Sequence, residues 1–230
     1  MRKLILVPMI HMGADHGKAT GEISLVKNRL LSKKRIEHHE KTISLFWDNI
    51  RNYFQGRDVK NMKIFQDGLA AEGEIGKKIV KELALKGSKN FMVVSDLIDR
   101  GAIAMKTEDI ELILQEQSLF LDLLQSKGFF QTLVNYLKYR IYKDRLLKKR
   151  DIHMAGRING NLKKGETAAL FIGVAHNVIR YLDKDIHIFP LKDLKMVNDY
   201  FKALNGKQND RKFQYLSDRL ISEINGESKP

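Results

Sequence analysis

The stretch 168–187, AALFIGVAHNVIRYLDKDIH, limits the fold more than any other part of the chain. An unbroken apolar run ends on Gly173, His176 follows three residues later, a short helical segment comes next, and DIH opens a second strand. An apolar run without alternation fits a strand buried on both faces, as in a parallel sheet covered by helices. The amino-terminal KLILVPMIH repeats the pattern, running through apolar residues into His11 and the loop MGADHG. In parallel α/β sheets ligands gather at the carboxyl ends of the strands, so imidazoles at two strand exits are candidate ligands or proton carriers.

The segments between these runs alternate in period. Helical stretches fit 21–31 and 36–54, and Trp47, Phe46, Ile43 and Ile50 are read as the core face of the second. MKIFQDG at 62–68 reads as a strand ending on Asp67, and GEIGKKIVKELALKG as an amphipathic helix stopped by Gly87. NFMVVSDLIDRG, with Asn90 as cap and Gly101 beyond its end, is read as a helix. AIAMKTED is then a strand leading to Glu108. A helical region covers 109–163 with a break at SKGFF, strands follow at Ala168 and at DIHIFPL, and the chain ends in a short helix and a polar tail. The expected fold is α/β: a mostly parallel central sheet flanked by helices, with a long helical insertion before the penultimate strand. The expected organisation is one domain over 1–206, with the helical elaboration at 109–163 and a polar tail at 207–230.

Strand exits carry, in chain order, His11, Asp67, Glu108 and His176. Two imidazoles and two carboxylates at one sheet edge suit a divalent metal, with ligand and general-base roles shared among them. Each is also what a loop begins with after an apolar strand. With no cysteine in the chain, any metal site must use nitrogen and oxygen donors. Leu146, Arg150, Met154, Ile158 and Leu162 recur every four residues, so Arg150 interrupts an apolar stripe and must snorkel or meet an anion. Asp151 points elsewhere on that helix, so the expected partner is a carboxylate or substrate anion from the strand edge. The adjacent His38 and His39 diverge on their helix and are expected on a solvated face.

The net charge of +13 raises the question of nucleic acid, but the basic residues are scattered. Their densest run, at 137–150, is the solvated side of an amphipathic helix, and no helix-turn-helix, RNP-type or zinc-knuckle pattern accompanies it. No specific nucleic-acid partner is expected. The apolar start is short and broken by Pro8, and is read as a strand rather than a signal peptide. No stretch approaches the roughly 20 apolar residues of a membrane helix, and a cytoplasmic location is expected.

The stretch 150–182, RDIHMAGRINGNLKKGETAALFIGVAHNVIRYL, resembles the carboxyl-terminal signature of the TraB/PrgY and Tiki proteins. That signature has an Arg-Asp or Arg-Asn pair, Met-Ala three residues on, a helix, and an apolar strand ending in Gly-x-x-His. Here these are Arg150, Asp151, Met154, Ala155, Gly173 and His176. The family's amino-terminal Gly-x-x-His would fall on PMIH, where Pro8 replaces the glycine, and its acidic strand exit on Asp67, where glutamate is usual. His16, in the loop after His11, is a further candidate ligand. The resemblance implies a metal-dependent peptidase-like hydrolase, pheromone inhibition or degradation, or, in a wider group, haem binding. The leading expectation is a hydrolase in which His11, His176 and Asp67 hold a divalent ion, Asp67 or Glu108 serves as base, and Arg150 holds a carboxylate or oxyanion. The alternative is a non-catalytic ligand-binding or regulatory module taking haem, a small molecule or a peptide, and nucleic-acid binding ranks third. The sequence leaves substrate, metal and oligomeric state open.

Overall fold

The computed structural model describes residues 1–10, 32–205, 210–222 and 224. Five parallel strands form one sheet in the order β3-β2-β4-β1-β5. They are β1 (Arg2–Met9), β2 (Lys63–Gln66), β3 (Ile103–Met105), β4 (Thr167–Gly173) and β5 (Ile186–Pro190). Among the described residues seven α-helices flank the sheet: α1 (Lys33–Gln55), α2 (Gly73–Leu85), α3 (Lys89–Asp99), α4 (Ile110–Leu124), α5 (Phe129–Asn161), α6 (Leu194–Asn205) and α7 (Asp210–Ile221). The expected α/β architecture is therefore present, and the helical region before β4 is a hairpin of α4 and α5 that turns at Gly128.

The central strands β1 and β4 are apolar on both faces because both faces are covered. Successive side chains alternate between two cores. Ile5, Val7, Ala169 and Phe171 join the layer of α1, α2, α3, α6 and α7, whereas Leu4, Leu6, Leu170 and Ile172 face Met154, Ala155 and Ile158 of α5. On the first face Trp47 and Phe54 of α1 stack against Phe171 at 6.5 and 6.1 Å. Each such fully buried side chain contributes on the order of 1.5–3 kcal/mol.

Pro8 lies in an interior strand, where a missing N–H normally breaks a ladder. Leu6 points its carbonyl towards the β5 side, accepting from Leu191 N at 2.9 Å, and alternation puts the Pro8 nitrogen on that same side. The β1–β5 pairing ends with Leu6 opposite Pro190, so Pro8 sits where no donor is called for.

Two expectations need correction. The carboxyl-terminal region is not merely a polar tail: 210–221 forms α7, which buries Phe213, Leu216 and Leu220. Its charged composition hid a narrow apolar stripe at positions i, i+3 and i+7. The same covering layer explains His39. Instead of facing solvent it is buried, with Nδ1 at 2.8 Å from Tyr200 Oη on α6, while His38 packs edge-on against Phe213. No helix among the described residues is long and apolar enough to cross a membrane.

Candidate functional site

Parallel strands present their carboxyl ends on one side, and the exits of β2, β3 and β4 are tied together there. Asp67 N donates to Phe171 O at 2.9 Å, extending the β2–β4 ladder one residue past the strand. Gly68 turns the chain with φ +85°, a conformation that suits glycine. Leu69 O then accepts from Thr107 N at 2.9 Å and Glu108 N at 3.1 Å, and Thr107 Oγ1 accepts from Gln66 N at 2.9 Å. These bonds hold the loop after β3 against the loop after β2, so Asp67 and Glu108 become neighbours.

The third wall comes from α5. Its sheet-covering half runs antiparallel to β4, so the turn carrying Arg150 and Asp151 reaches the carboxyl edge. Arg150 Nη2 donates to Asp67 Oδ1 at 2.8 Å and also to Glu108 Oε1, its Nε lies 3.2 and 3.3 Å from the Glu108 oxygens, and Nη1 pairs with Glu116 of α4. Asp151 faces the exit of β4: Oδ1 lies 2.6 Å from His176 Nδ1, and Oδ2 accepts from Asn177 N at 3.0 Å. The other ring nitrogen, Nε2, lies 3.3 Å from Asp67 Oδ2, which also accepts from Gly173 N at 3.1 Å.

Four carboxylates (Asp67, Glu108, Glu116, Asp151) therefore face two cations, leaving a formal excess of two negative charges around a largely buried centre. Glu108 is fully buried, and burial pushes its carboxyl up to about 7; hydrogen bonding to Arg150 opposes the rise and the charge on Asp67 adds to it. For His176, burial disfavours the charged ring, but Asp67 and the hydrogen bond to Asp151 outweigh it and raise the imidazole to about 10. Arg150 likewise keeps its charge against burial because Glu108, Asp67 and Glu116 surround it.

The structure thus brings together Asp67, Glu108, Arg150 and His176 of the sequence-derived candidates. His11 and His16 lie outside the described residues. Two partners were given no site role from the sequence, although Asp151 belongs to the carboxyl-terminal signature. Asp151 was set aside because it diverges from Arg150 on the helix, yet that divergence turns it towards His176. Glu116 becomes visible only once the α4–α5 hairpin is formed. Arg150 meets the anions expected of it, but these are protein carboxylates, and all three of its nitrogens are engaged by them.

Asp67, Glu108 and His176 each offer one donor atom within 4.8 Å of the others, a group able to hold a metal ion. The donor chemistry fits. A histidine ligand normally gives its second ring N–H to a carboxylate, and Asp151 stands at Nδ1 to take it, which turns Nε2 towards Asp67. Beside His176 opens a cleft of about 260 Å³, walled by Leu6, Ile172, Val174, Val178 and Leu194.

Comparisons of the chain with protein-family models, with curated proteins and with solved structures found no match.

Proposed function

We propose that the carboxyl edge of the sheet is a divalent-metal-assisted hydrolase centre acting on amide or ester bonds, as the resemblance of its carboxyl-terminal segment implies. The observation that carries this reading is the Asp151–His176–Asp67 line with Glu108 behind it: an imidazole oriented by one carboxylate towards two others, inside a shell with excess negative charge. Such an excess in a buried site calls for a counter-ion or for protonation. In this reading His176 Nε2, Asp67 and Glu108 are the ligands. A bound divalent ion would lower the pKa of a water and polarise a carbonyl.

The protein groups divide the remaining work. Asp151 fixes the His176 ring and its tautomer. Arg150 and Glu116 hold the Glu108 and Asp67 carboxylates in place, a positioning role rather than contact with a substrate oxyanion. Asp67, slightly less buried than Glu108, is the ligand carboxylate that would also accept a proton from an attacking water in this reading. The cleft beside His176 is mostly apolar, with Lys195 and Asn198 also lining it, and suits an aliphatic side chain next to the scissile bond. At about 260 Å³ it falls below the usual range for a drug-sized ligand, which argues against haem.

One observation favours a second reading. Carboxylates stand at both ring nitrogens of His176, Asp151 at Nδ1 and Asp67 at Nε2, and favour its charged form, an arrangement that suits a non-catalytic small-molecule module. A panel of short peptides and esters with aliphatic side chains, assayed with Mg²⁺, Mn²⁺, Zn²⁺ or Co²⁺, separates the two. Turnover lost in His176→Ala and Asp67→Asn, with folding retained, supports the hydrolase. Absence of turnover with every metal, together with saturable binding of an apolar small molecule, supports the module.

A further inference from the structure

Among the described residues, the α4–α5 hairpin is covered on one side only. No residue of α4 is buried, and α5 buries none before Leu146. The two helices pack through Phe120 and Tyr139, with ring centroids 6.1 Å apart, through Asn135, which donates to Asp122 O and Ser126 Oγ, and through Glu116 with Arg150. On a different face of α5, Phe130, Val134, Leu137 and Ile141 are 81, 49, 49 and 56% exposed. Their spacing of 4-3-4 is that of a helix-packing seam. The same spacing occurs on α4 at Ile110, Leu114, Gln117 and Leu121, where Ile110 and Leu114 are 49 and 55% exposed.

The charges beside these seams are opposite. The exposed charges of α4 are acidic, Glu111 and Asp122, and that helix has no basic residue. The outer seam of α5 is flanked by the exposed basic residues Lys138, Arg140 and Arg145, and one acidic residue, Asp144, follows at its carboxyl-terminal end. An α5 seam set against another α5 would align like charges, whereas an α5 seam against α4 aligns opposite ones.

We propose that a second copy of this chain covers the hairpin, with each α4 packed on its partner's α5 to form an antiparallel four-helix bundle. A two-fold axis between the hairpins makes both contacts at once, since an isologous interface uses the same surface of each subunit. The apolar residues extend along both helices rather than gathering at the Phe129–Phe130 tip. That distribution suits a helical partner better than insertion of a tip into lipid.

Sedimentation velocity on the full chain over a concentration series tests the assignment, with circular dichroism as a check on folding. The wild type should be a dimer at micromolar concentration. Leu137→Asp, at an exposed site, should be a folded monomer at the same concentration. Reversing the basic flank with Lys138→Glu and Arg145→Glu should weaken the dimer at least tenfold, and adding Glu111→Lys and Asp122→Lys to that variant should restore it, which general loss of fold would not do. A wild type that stays monomeric, a dimer indifferent to Leu137→Asp, or charge reversal without restoration would overturn the proposal. A monomer that binds phosphatidylserine vesicles and loses that binding in Leu137→Asp would assign the face to lipid instead.

Discussion

Replacing Arg150 with methionine, close in volume and without charge, would leave Asp67, Glu108 and Glu116 facing one another with His176 as the remaining cation. Removing one member of a buried ion pair costs roughly 3–5 kcal/mol, because the charges left behind keep the penalty of burial. For a chain of 230 residues each kcal/mol lowers Tm by about 2–4 °C, so a loss of about 6–20 °C is expected. The loss should also depend on pH in a defined direction. Glu108 already holds its proton up to about 7 against an ordinary value of 4.5, and without Arg150 the hydrogen bonds that oppose this rise are gone. A group whose folded value lies above its unfolded one favours folding most at low pH and loses that contribution as pH rises through the folded value. The deficit of Arg150→Met should therefore be smaller at about pH 5 than at about pH 8 in urea titrations followed by circular dichroism. A deficit under about 1 kcal/mol, or one equal at both pH values, would mean that water already solvates the carboxylates and that Arg150 is not their buried counter-ion.

Asp151→Asn keeps the shape of the clamp but removes its charge, so His176 should titrate below its wild-type value and metal affinity should fall about 10- to 100-fold, read by NMR and by calorimetry. In metal-free protein the His176 contribution is fully present below its ordinary value of 6.5 and is lost as pH rises through about 10. The stability gap between wild type and His176→Gln, measured in chelator by denaturation, should thus narrow from neutral to alkaline pH; a widening gap would contradict the assignment. Phe213→Ala in α7 should cost about 3–5 kcal/mol in urea denaturation, against almost nothing for a residue in a frayed tail. Binding to nucleic acid should be weak and should disappear between low and physiological salt in a filter or anisotropy assay.

The parallel sheet was legible because β1, β2 and β4 carry apolar runs with no solvent face, and Gly87 and Gly101 marked helix ends through the left-handed backbone they adopt. Arg150 was legible as a candidate for a similar reason: a guanidinium in an apolar stripe has to snorkel or meet an anion. Which anion was not, since Asp67, Glu108 and Glu116 come from three separate elements and meet only through strand order and the hairpin. Asp151 was hidden by a sound rule applied to the wrong neighbour, its divergence from Arg150 being what aims it at His176. The helix α7 was missed because most of its residues are polar, so its buried face shows only against the layer that receives it.

Calorimetric titration of Mg²⁺, Mn²⁺, Zn²⁺ and Co²⁺ into untagged, chelator-stripped protein, wild type and His176→Ala in parallel, tests the metal-centre reading most directly. The wild type should show one class of site, proton release on binding and tighter binding as pH rises, and His176→Ala should lose that site while remaining folded. No binding by the wild type, or identical binding by both proteins, would contradict that reading.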